Sequence, residues 1–242
     1  MGVELHFNNQ SGRVAPGVSL FEHAERCNVK VPTSCRKQCK CKECLVEVVE
    51  GMNCLSLRSE AESHLKGGFR LSCCTRVMAD TGTVRCHTMR RGVMRIESRA
   101  LNLPNPSGRL KPDPTVTRTG DRVFLDGVEV DRYSGPIHGL AMDLGTTTVV
   151  LRLLDLETGR IIADASFENP QRFGGSDVMS RIHYDTHESG KLLQRTLLGY
   201  LTHVIEEFPV DPKSIYELVV AGNSTMRDIF FRLDVYSRII RT

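Results

Sequence analysis

Long apolar runs are missing from this 242-residue sequence, and no segment approaches the roughly 18 to 20 apolar residues that span a bilayer. The first ten residues also lack the basic start and apolar stretch of a signal peptide. An excess of one charge is missing too, because the formal net charge is only +3 and the sequence pI is about 8.4. These absences predict a cytoplasmic protein without a membrane partner, and they do not favour nucleic acid as a partner.

The remaining composition is that of an ordinary globular protein, with 40% apolar residues, 25% charged residues and a mean hydropathy of -0.22. Fibrous and disordered classes are therefore excluded. A chain of 27.1 kDa can form one or two domains with a substantial core, so its size does not require a disulfide or metal scaffold.

Cysteine is distributed unevenly, because all nine cysteines lie within the first 86 residues. In a reducing compartment this density favours metal or cluster ligation over a disulfide framework. An isolated cysteine is usually a small buried hydrophobe, and that interpretation suits Cys27, Cys54 and Cys86. The sequence thus predicts cysteine-based chemistry in its N-terminal part and a different chemistry, without cysteine, in the remainder.

Periodicity predicts a small unit of strands and helices over residues 1–90. The first strand shows period-two alternation, and Ser19 with Glu22 forms a capping box that begins a short helix. The further elements are strands at 45–49, 69–77 and 84–88 and a second small helix that begins at Ser59.

Proline is concentrated farther along the chain, where Pro104, Pro106, Pro112, Pro114 and Pro136 make up half of the ten prolines. Proline fixes the backbone and removes donors, so we assign residues 91–137 to a linker. A small hairpin with a tight Asp126-Gly127 turn is predicted within it.

Residues 138–242 form the third predicted region. Three antiparallel strands are expected first, followed by a helix capped by Asp177 and a long amphipathic helix that ends before Pro209. A buried strand at 215–221 and a helix at 225–233 complete the pattern.

Four cysteines have the spacing of a cluster site. Cys35, Cys41 and Cys44 are separated by five and two residues on one loop, and Cys73 follows on a later predicted strand. Three ligands on a tight loop and one distant ligand are typical of a [2Fe-2S] cluster, since the loop wraps one edge and the strand closes the other. We therefore predict that these four thiolates bind such a cluster.

Neighbouring cysteines leave alternatives open. Cys39 could replace Cys41, whereas Cys74 would point to the face opposite Cys73 on a strand and is left out of the ligand set. Zinc also accepts four thiolates, so a zinc site of Cys41, Cys44, Cys73 and Cys74 is the competing interpretation, although paired Cys-x-x-Cys knuckles are missing.

The cysteine segment resembles the ferredoxin domain of the reductive activators of corrinoid-dependent enzymes. The resemblance rests on the cysteine spacing and on Arg70-Leu71-Ser72-Cys73, which matches the Arg-Leu-Ala-Cys stretch of that family. It implies a β-grasp ferredoxin-like fold over residues 1–90. Where relatives have glycines, which permit positive φ, this sequence has Arg36, Lys37, Cys39 and Lys42.

Positive charge surrounds this loop, on Arg36, Lys37, Lys40 and Lys42. These cations are expected to stabilise the reduced cluster and raise its potential, or to present a basic docking face to an acidic partner. A solvated cationic loop is the alternative.

A second motif lies at a predicted turn between strands, where Asp143 is followed by Gly145, Thr146 and Thr147. The glycine lets backbone N–H groups approach a phosphate, the threonines add donors, and the aspartate can hold magnesium through water. Gly222 and Asn223 lie where a strand gives way to a helix, which suits anion contact. An ordinary capped turn is the alternative.

This loop resembles the first phosphate motif of the acetate and sugar kinase, Hsp70 and actin superfamily. Residues 169–178 and 221–226 resemble segments of the ATPase domain of the same activator family. The resemblance implies an α+β domain followed by an α/β, actin/ribonuclease-H-like ATPase lobe over 138–242. Family ATPases have a second lobe, and because this sequence stops at Thr242 we expect an incomplete nucleotide cleft and leave ATPase activity an open question.

The resemblance implies an electron-transfer protein that helps to return cobalt(II) corrinoid to cobalt(I). Its implied ligands are a [2Fe-2S] cluster, ATP and magnesium. Its implied partners are a corrinoid protein or corrinoid-dependent methyltransferase and an electron donor, and a homodimer is compatible with this interpretation. Two alternatives are a zinc-stabilised interaction module with a non-catalytic ATPase-like half, and a kinase-like nucleotide-binding protein with incidental cysteines.

Overall fold

A computed structural model describes residues 2–89, 115–188 and 190–235 of the chain. Residues 91–114 of the predicted linker, with four of its five prolines, lie outside the described residues.

The N-terminal unit is a five-stranded sheet covered by one helix. Its strands are β1 (Val3–Phe7), β2 (Gln10–Val14), β3 (Leu45–Glu50), β4 (Phe69–Leu71) and β5 (Thr83–Thr88), and its helix is α1 (Leu20–Arg26). The strand order is β2-β1-β5-β3-β4, in which β1 is parallel to β5 and the other pairs are antiparallel. The predicted capping box of Ser19 and Glu22 is present at the start of α1.

The predicted strand at 69–77 ends early, and residues 72–74 form a turn. Buried Glu62 accounts for this turn, because its Oε1 accepts hydrogen bonds from the backbone N–H of Leu71 and the hydroxyl of Thr75, both at 3.0 Å. The same carboxylate pairs with buried Arg70 at 2.9 Å. Burial raises the pKa of Glu62, but hydrogen bonds from Arg70, Ser59 and Leu71 outweigh it and lower that pKa to about 2.

A three-stranded antiparallel sheet follows the undescribed segment. It consists of β6 (Val116–Thr119), β7 (Arg122–Leu125) and β8 (Val128–Arg132). The predicted tight turn is confirmed, since Asp126 and Gly127 have φ values of 49° and 79° between β7 and β8.

The second large sheet has the order β11-β10-β9-β12. Its strands are β9 (His138–Leu144), β10 (Thr148–Asp155), β11 (Ile161–Glu168) and β12 (Ile215–Gly222), and its helices are α2 (Val178–His187), α3 (Leu192–Glu206) and α4 (Ser224–Phe230). The first three strands are antiparallel as predicted, and β12 is parallel to β9. Asp177 caps α2 through the Ser180 N–H, also as predicted.

The prediction of a buried strand at 215–221 is wrong. Leu218 and Val219 are 43% and 59% exposed, because β12 is the edge strand of its sheet. An apolar run alone does not distinguish an edge strand from a central one.

The largest apolar cluster joins the two large sheets, and it contains Cys44 and Cys73 together with α3 residues such as Leu197. The Tyr200 hydroxyl of α3 donates a hydrogen bond to the carbonyl of Leu45 at 3.0 Å. Helix α3 therefore packs directly against the cysteine segment. Among the described residues, no helix is both long and apolar enough to cross a membrane.

Candidate metal centre

The loop between α1 and β3 carries Cys35, Cys41 and Cys44, and the turn after β4 carries Cys73. The Cys44 and Cys73 sulfurs are 3.2 Å apart. Ser72 joins the two segments, because its backbone N–H and its hydroxyl both donate to the carbonyl of Cys44, at 2.9 and 3.0 Å. These hydrogen bonds keep the sulfurs of Cys44 and Cys73 next to each other, although the two residues are far apart in the sequence.

Cys35 and Cys41 form a second sulfur pair, with their Sγ atoms 4.0 and 3.9 Å from the Thr33 hydroxyl. Burial raises the pKa of Cys35, but hydrogen bonds from the backbone N–H groups of Cys41 and Lys40 and from the Cys41 side chain lower it to about 7. These contacts favour a thiolate at position 35.

The two pairs fit a two-iron cluster. Thiolates that share one tetrahedral metal ion at about 2.3 Å lie about 3.8 Å from each other. The Cys44–Cys73 separation of 3.2 Å is somewhat shorter than that value, and Cys35 is near enough for its charge to act on Cys73. A [2Fe-2S] cluster takes four thiolates, two on each iron, so the donor set suits this group.

The loop keeps a glycine-like backbone without glycines. Arg36, Lys37, Cys39 and Lys42 have φ values of 51°, 66°, 59° and 69°. These are the four positions at which the resembled family has glycines. A left-handed conformation costs a non-glycine residue about 1 to 2 kcal/mol, so the loop retains this shape at an energetic cost.

Cys39 and Cys74 form a disulfide beside the predicted ligands. Their sulfurs lie 3.6 and 3.7 Å from the Cys73 sulfur. The prediction that Cys74 points away from Cys73 is wrong, because these residues lie in a turn and not on a strand.

The cationic loop is partly held by the protein. Lys37 pairs with Glu25 at 2.6 Å and lies over the ring of Phe21, and Lys42 donates to the carbonyl of Ala61. Arg36 and Lys40 are exposed.

Sequence reasoning missed the contact between this loop and α3. Glu43 is buried, accepts a hydrogen bond from the Ser34 hydroxyl at 2.6 Å, and lies 3.4 Å from the imidazole of His203. A Cβ at Gly199 would overlap the Glu43 side chain. A glycine inside a helix, which costs about 1 kcal/mol relative to alanine, was the one available signal of this close approach.

The second predicted site forms where neighbouring parallel strands end. The turn after β9 holds Gly145, Thr146 and Thr147, Gly222 is the last residue of β12, and Asn223 follows it. Because β9 pairs with β12, the two segments meet, and the Asn223 amide donates to the Thr146 hydroxyl at 3.3 Å. The Asp143 side chain is exposed at the end of β9.

A buried arginine that the sequence did not indicate supports residues 143–147, which we call the phosphate loop because the sequence predicts phosphate contact there. Arg181 of α2 is fully buried and donates to the carbonyls of Thr146 and Gly175, to the Gln171 amide oxygen and to the sulfur of Met226. Burial lowers the pKa of Arg181 to about 10. Its hydrogen-bond partners among the described residues are all uncharged.

Comparisons with known proteins match these two parts separately. A 2Fe-2S iron-sulfur cluster binding domain matches residues 6–78, and the RACo middle region matches residues 138–241. The chain thus joins a segment similar to [2Fe-2S] cluster binding domains to a segment similar to the RACo middle region.

Among curated proteins, the corrinoid activation enzyme RamQ of Eubacterium limosum is 35% identical over 122 residues. The alignment covers 48% of this chain and 20% of RamQ, so it spans about a fifth of that relative's length. The resemblance to the reductive activators of corrinoid-dependent enzymes is thereby confirmed.

Two solved structures are similar. A "reductive activator for corrinoid,iron-sulfur protein" is 22% identical and has a TM-score of 0.46, with 96% of this chain and 49% of that chain covered. An ISC-like [2Fe-2S] ferredoxin, FdxB from Pseudomonas putida, is 20% identical and has a TM-score of 0.32, with 36% and 92% covered.

Proposed function

We propose that this chain is the electron-transfer part of a reductive activator, which supplies single electrons for the reduction of cobalt(II) to cobalt(I) in a corrinoid protein. The observation that supports the proposal is the contact between the Cys44 and Cys73 sulfurs at 3.2 Å, together with the hydrogen bond between the Cys35 and Cys41 side chains. Both contacts lie in the segment that matches a [2Fe-2S] cluster binding domain, and this segment packs against the one that matches the RACo middle region.

In this proposal Cys35 and Cys41 bind one iron, and Cys44 and Cys73 bind the other. The bound cluster supplies one-electron redox chemistry. Cys44 and Cys73 are buried in the apolar cluster shared with α3, whereas Cys35 and Cys41 are half-exposed. Within the described residues, the edge formed by Cys35 and Cys41 is therefore more accessible to a redox partner than the edge formed by Cys44 and Cys73.

A groove of about 800 Å³ opens beside this edge, and its lining includes Cys35, Cys41, Lys40 and Arg195. We propose that the groove and the exposed cations receive an acidic face of the corrinoid protein or of the electron donor. Complementary charges of this kind accelerate association and make it sensitive to salt. Free thiols at seven of the nine cysteines suit the reducing cytoplasm that we propose as the location.

The phosphate loop forms the second part of the proposal. Backbone N–H groups of Thr146 and Thr147 are suited to contact phosphates of ATP, and Asp143 is suited to hold magnesium through water. The N–H of Gly145 donates to the Thr148 carbonyl at 3.0 Å, so Gly145 shapes the turn. Gly222 and Asn223 approach the same loop from the start of α4. We propose an actin-like lobe over residues 138–242 on this basis.

The function is tested with protein purified without oxygen and chemically reduced. Mixed with a cobalt(II) corrinoid, the wild-type chain should produce the absorbance of cobalt(I). Cys41→Ser should abolish this transfer, and Cys27→Ser, which changes another half-exposed cysteine, should not. Equal cobalt(I) formation by Cys41→Ser and wild type would exclude the proposed route.

A further inference from the structure

We propose that Cys39 and Cys74 form a second redox site, a reversible dithiol–disulfide pair that exchanges two electrons with low-molecular-weight thiols and disulfides. Formation of the disulfide is independent of the function proposed above. Its effect on the cluster rests on that function.

The position of the two cysteines supports the proposal. Cys39 belongs to the ligand loop and Cys74 to the turn that follows β4, and their Cα atoms are 6.0 Å apart, inside the range that a disulfide spans. Both residues are half-buried, so a small oxidant can reach them.

The other spare cysteines lack this arrangement. Cys54 and Cys86 are buried, and Cys27 has the imidazole of His23 as its neighbour, 3.3 Å away. Within the described part of the chain, Cys39 and Cys74 are the only cysteines joined by a disulfide.

The backbone at Cys39 gives an independent argument. Its φ is 59°, a conformation that is less favourable for a cysteine than for a glycine. The bond between its side chain and Cys74 offsets part of that cost, and a glycine, which has no side chain, could not form it.

The exchange balances with a low-molecular-weight disulfide such as oxidised glutathione. A thiolate of the pair attacks one glutathione sulfur and displaces the first glutathione as a thiolate. The second cysteine then attacks the mixed disulfide, which forms the Cys39–Cys74 bond and releases the second glutathione. Two electrons and two protons leave the pair, and one glutathione disulfide becomes two thiols.

The pair is placed to influence the cluster through Cys73, whose sulfur lies 3.6 Å from Cys39 and 3.7 Å from Cys74. In the dithiol form, two S–H groups can donate to this ligand sulfur, whereas the disulfide has no hydrogen to donate. Hydrogen bonds to ligand sulfurs are among the factors that set a cluster's reduction potential. We expect the potential to be more negative when the pair is a disulfide, because donors stabilise the extra negative charge of the reduced state.

The experiment uses the full chain loaded with its cluster and equilibrated without oxygen in glutathione buffers of graded ratio. Alkylation and peptide mapping report the thiols, iron analysis reports the cluster, and a redox titration followed by electron paramagnetic resonance reports the potential. We expect a Cys39–Cys74 link in oxidising buffer with iron retained, and a more negative potential. The variant C39S/C74S should lose the dependence on the glutathione ratio, and C27S should keep it.

Alkylation of both cysteines in the most oxidising buffer would overturn the proposal, as would loss of iron before the link forms. If iron is missing in every buffer, the proposed function fails, and the peptide map alone decides the pair. A Cys39–Cys74 link in that iron-free protein supports the pair, and its absence there overturns the pair.

Discussion

The Cys73 turn and the phosphate loop are each supported by a buried charged side chain, but the two side chains are balanced differently. Glu62 beneath the Cys73 turn pairs with Arg70 at 2.9 Å, so its charge is compensated within the fold. Arg181 beneath the phosphate loop bonds only to uncharged groups among the described residues. The first arrangement needs no ligand to balance its charge. The second has a charge interaction with Asp177 but, within the described part of the chain, no ion pair through a hydrogen bond, so a bound anion would add to the balance of its charge.

The largest effect should come from substitution of a predicted cluster ligand in the Cys73 turn. Cys73→Ala removes one thiolate of the buried pair, and we expect it to lose nearly all bound iron and visible absorbance. Cys86→Ala, which removes a buried thiol of the same sheet, should retain both. Full iron content in Cys73→Ala would show that Cys39 or Cys74 takes over as ligand.

Breaking the ion pair between Glu62 and Arg70 should lower the free energy of unfolding more than the other substitutions do. Glu62→Gln leaves Arg70 buried without a counter-charge, and we expect a loss of about 3 to 5 kcal/mol in the free energy of unfolding, measured by urea denaturation.

The same pair predicts a pH dependence. The pKa of Glu62 is lowered from 4.5 to about 2, so its contribution is present above pH 4.5 and is lost as the pH falls towards 2. This loss amounts to about 3 kcal/mol. Urea denaturation of iron-free protein should show it in wild type and not in Glu62→Gln. Parallel pH profiles for the two would contradict the assignment.

Substitution of Arg181 should affect anion binding as well as the free energy of unfolding. Arg181→Met leaves the carbonyls of Thr146 and Gly175 without their donor, and we expect a loss of about 1 to 3 kcal/mol. Pyrophosphate binding, measured by calorimetry, should weaken about tenfold if the charge also serves an anion. Arg160→Met, at an exposed position, should change neither quantity.

The contact between the two units should affect stability about as much as Arg181 does, with a smaller effect on ligand binding. Gly199→Val places a branched side chain against Glu43, and overpacking of this kind costs about 1 to 3 kcal/mol. Thr202→Val on the exposed face of α3 should stay within about 0.5 kcal/mol of wild type. Iron release should be faster in Gly199→Val, and identical release rates would show that α3 does not restrain the ligand loop.

Local patterns explain how much of the fold the sequence predicted. Period-two alternation identified β1, strand-type runs between turns identified most of β9 to β11, and the capping box located the start of α1. The pattern did not reveal β2, because four of its five residues are not buried and its apolar alternation is weak. The turn at 72–74 depends on Glu62, ten residues earlier, so no local pattern indicated it.

The same distinction between local patterns and long-range packing applies to the two candidate sites. Cysteine spacing selected Cys44 and Cys73, whose sulfurs lie 3.2 Å apart. The motifs at the strand ends selected Thr146 and Asn223 separately, but they did not indicate that these two side chains are in contact. Arg181 and the Glu43–His203 contact were missed, because they depend on packing between segments far apart in sequence.

The account depends most directly on which metal the four thiolates bind. Protein purified without oxygen should contain iron and acid-labile sulfide in equal amounts, matching one [2Fe-2S] cluster per chain, and no zinc. Zinc at about one ion per chain, with no sulfide, would contradict the account and support the zinc-stabilised module.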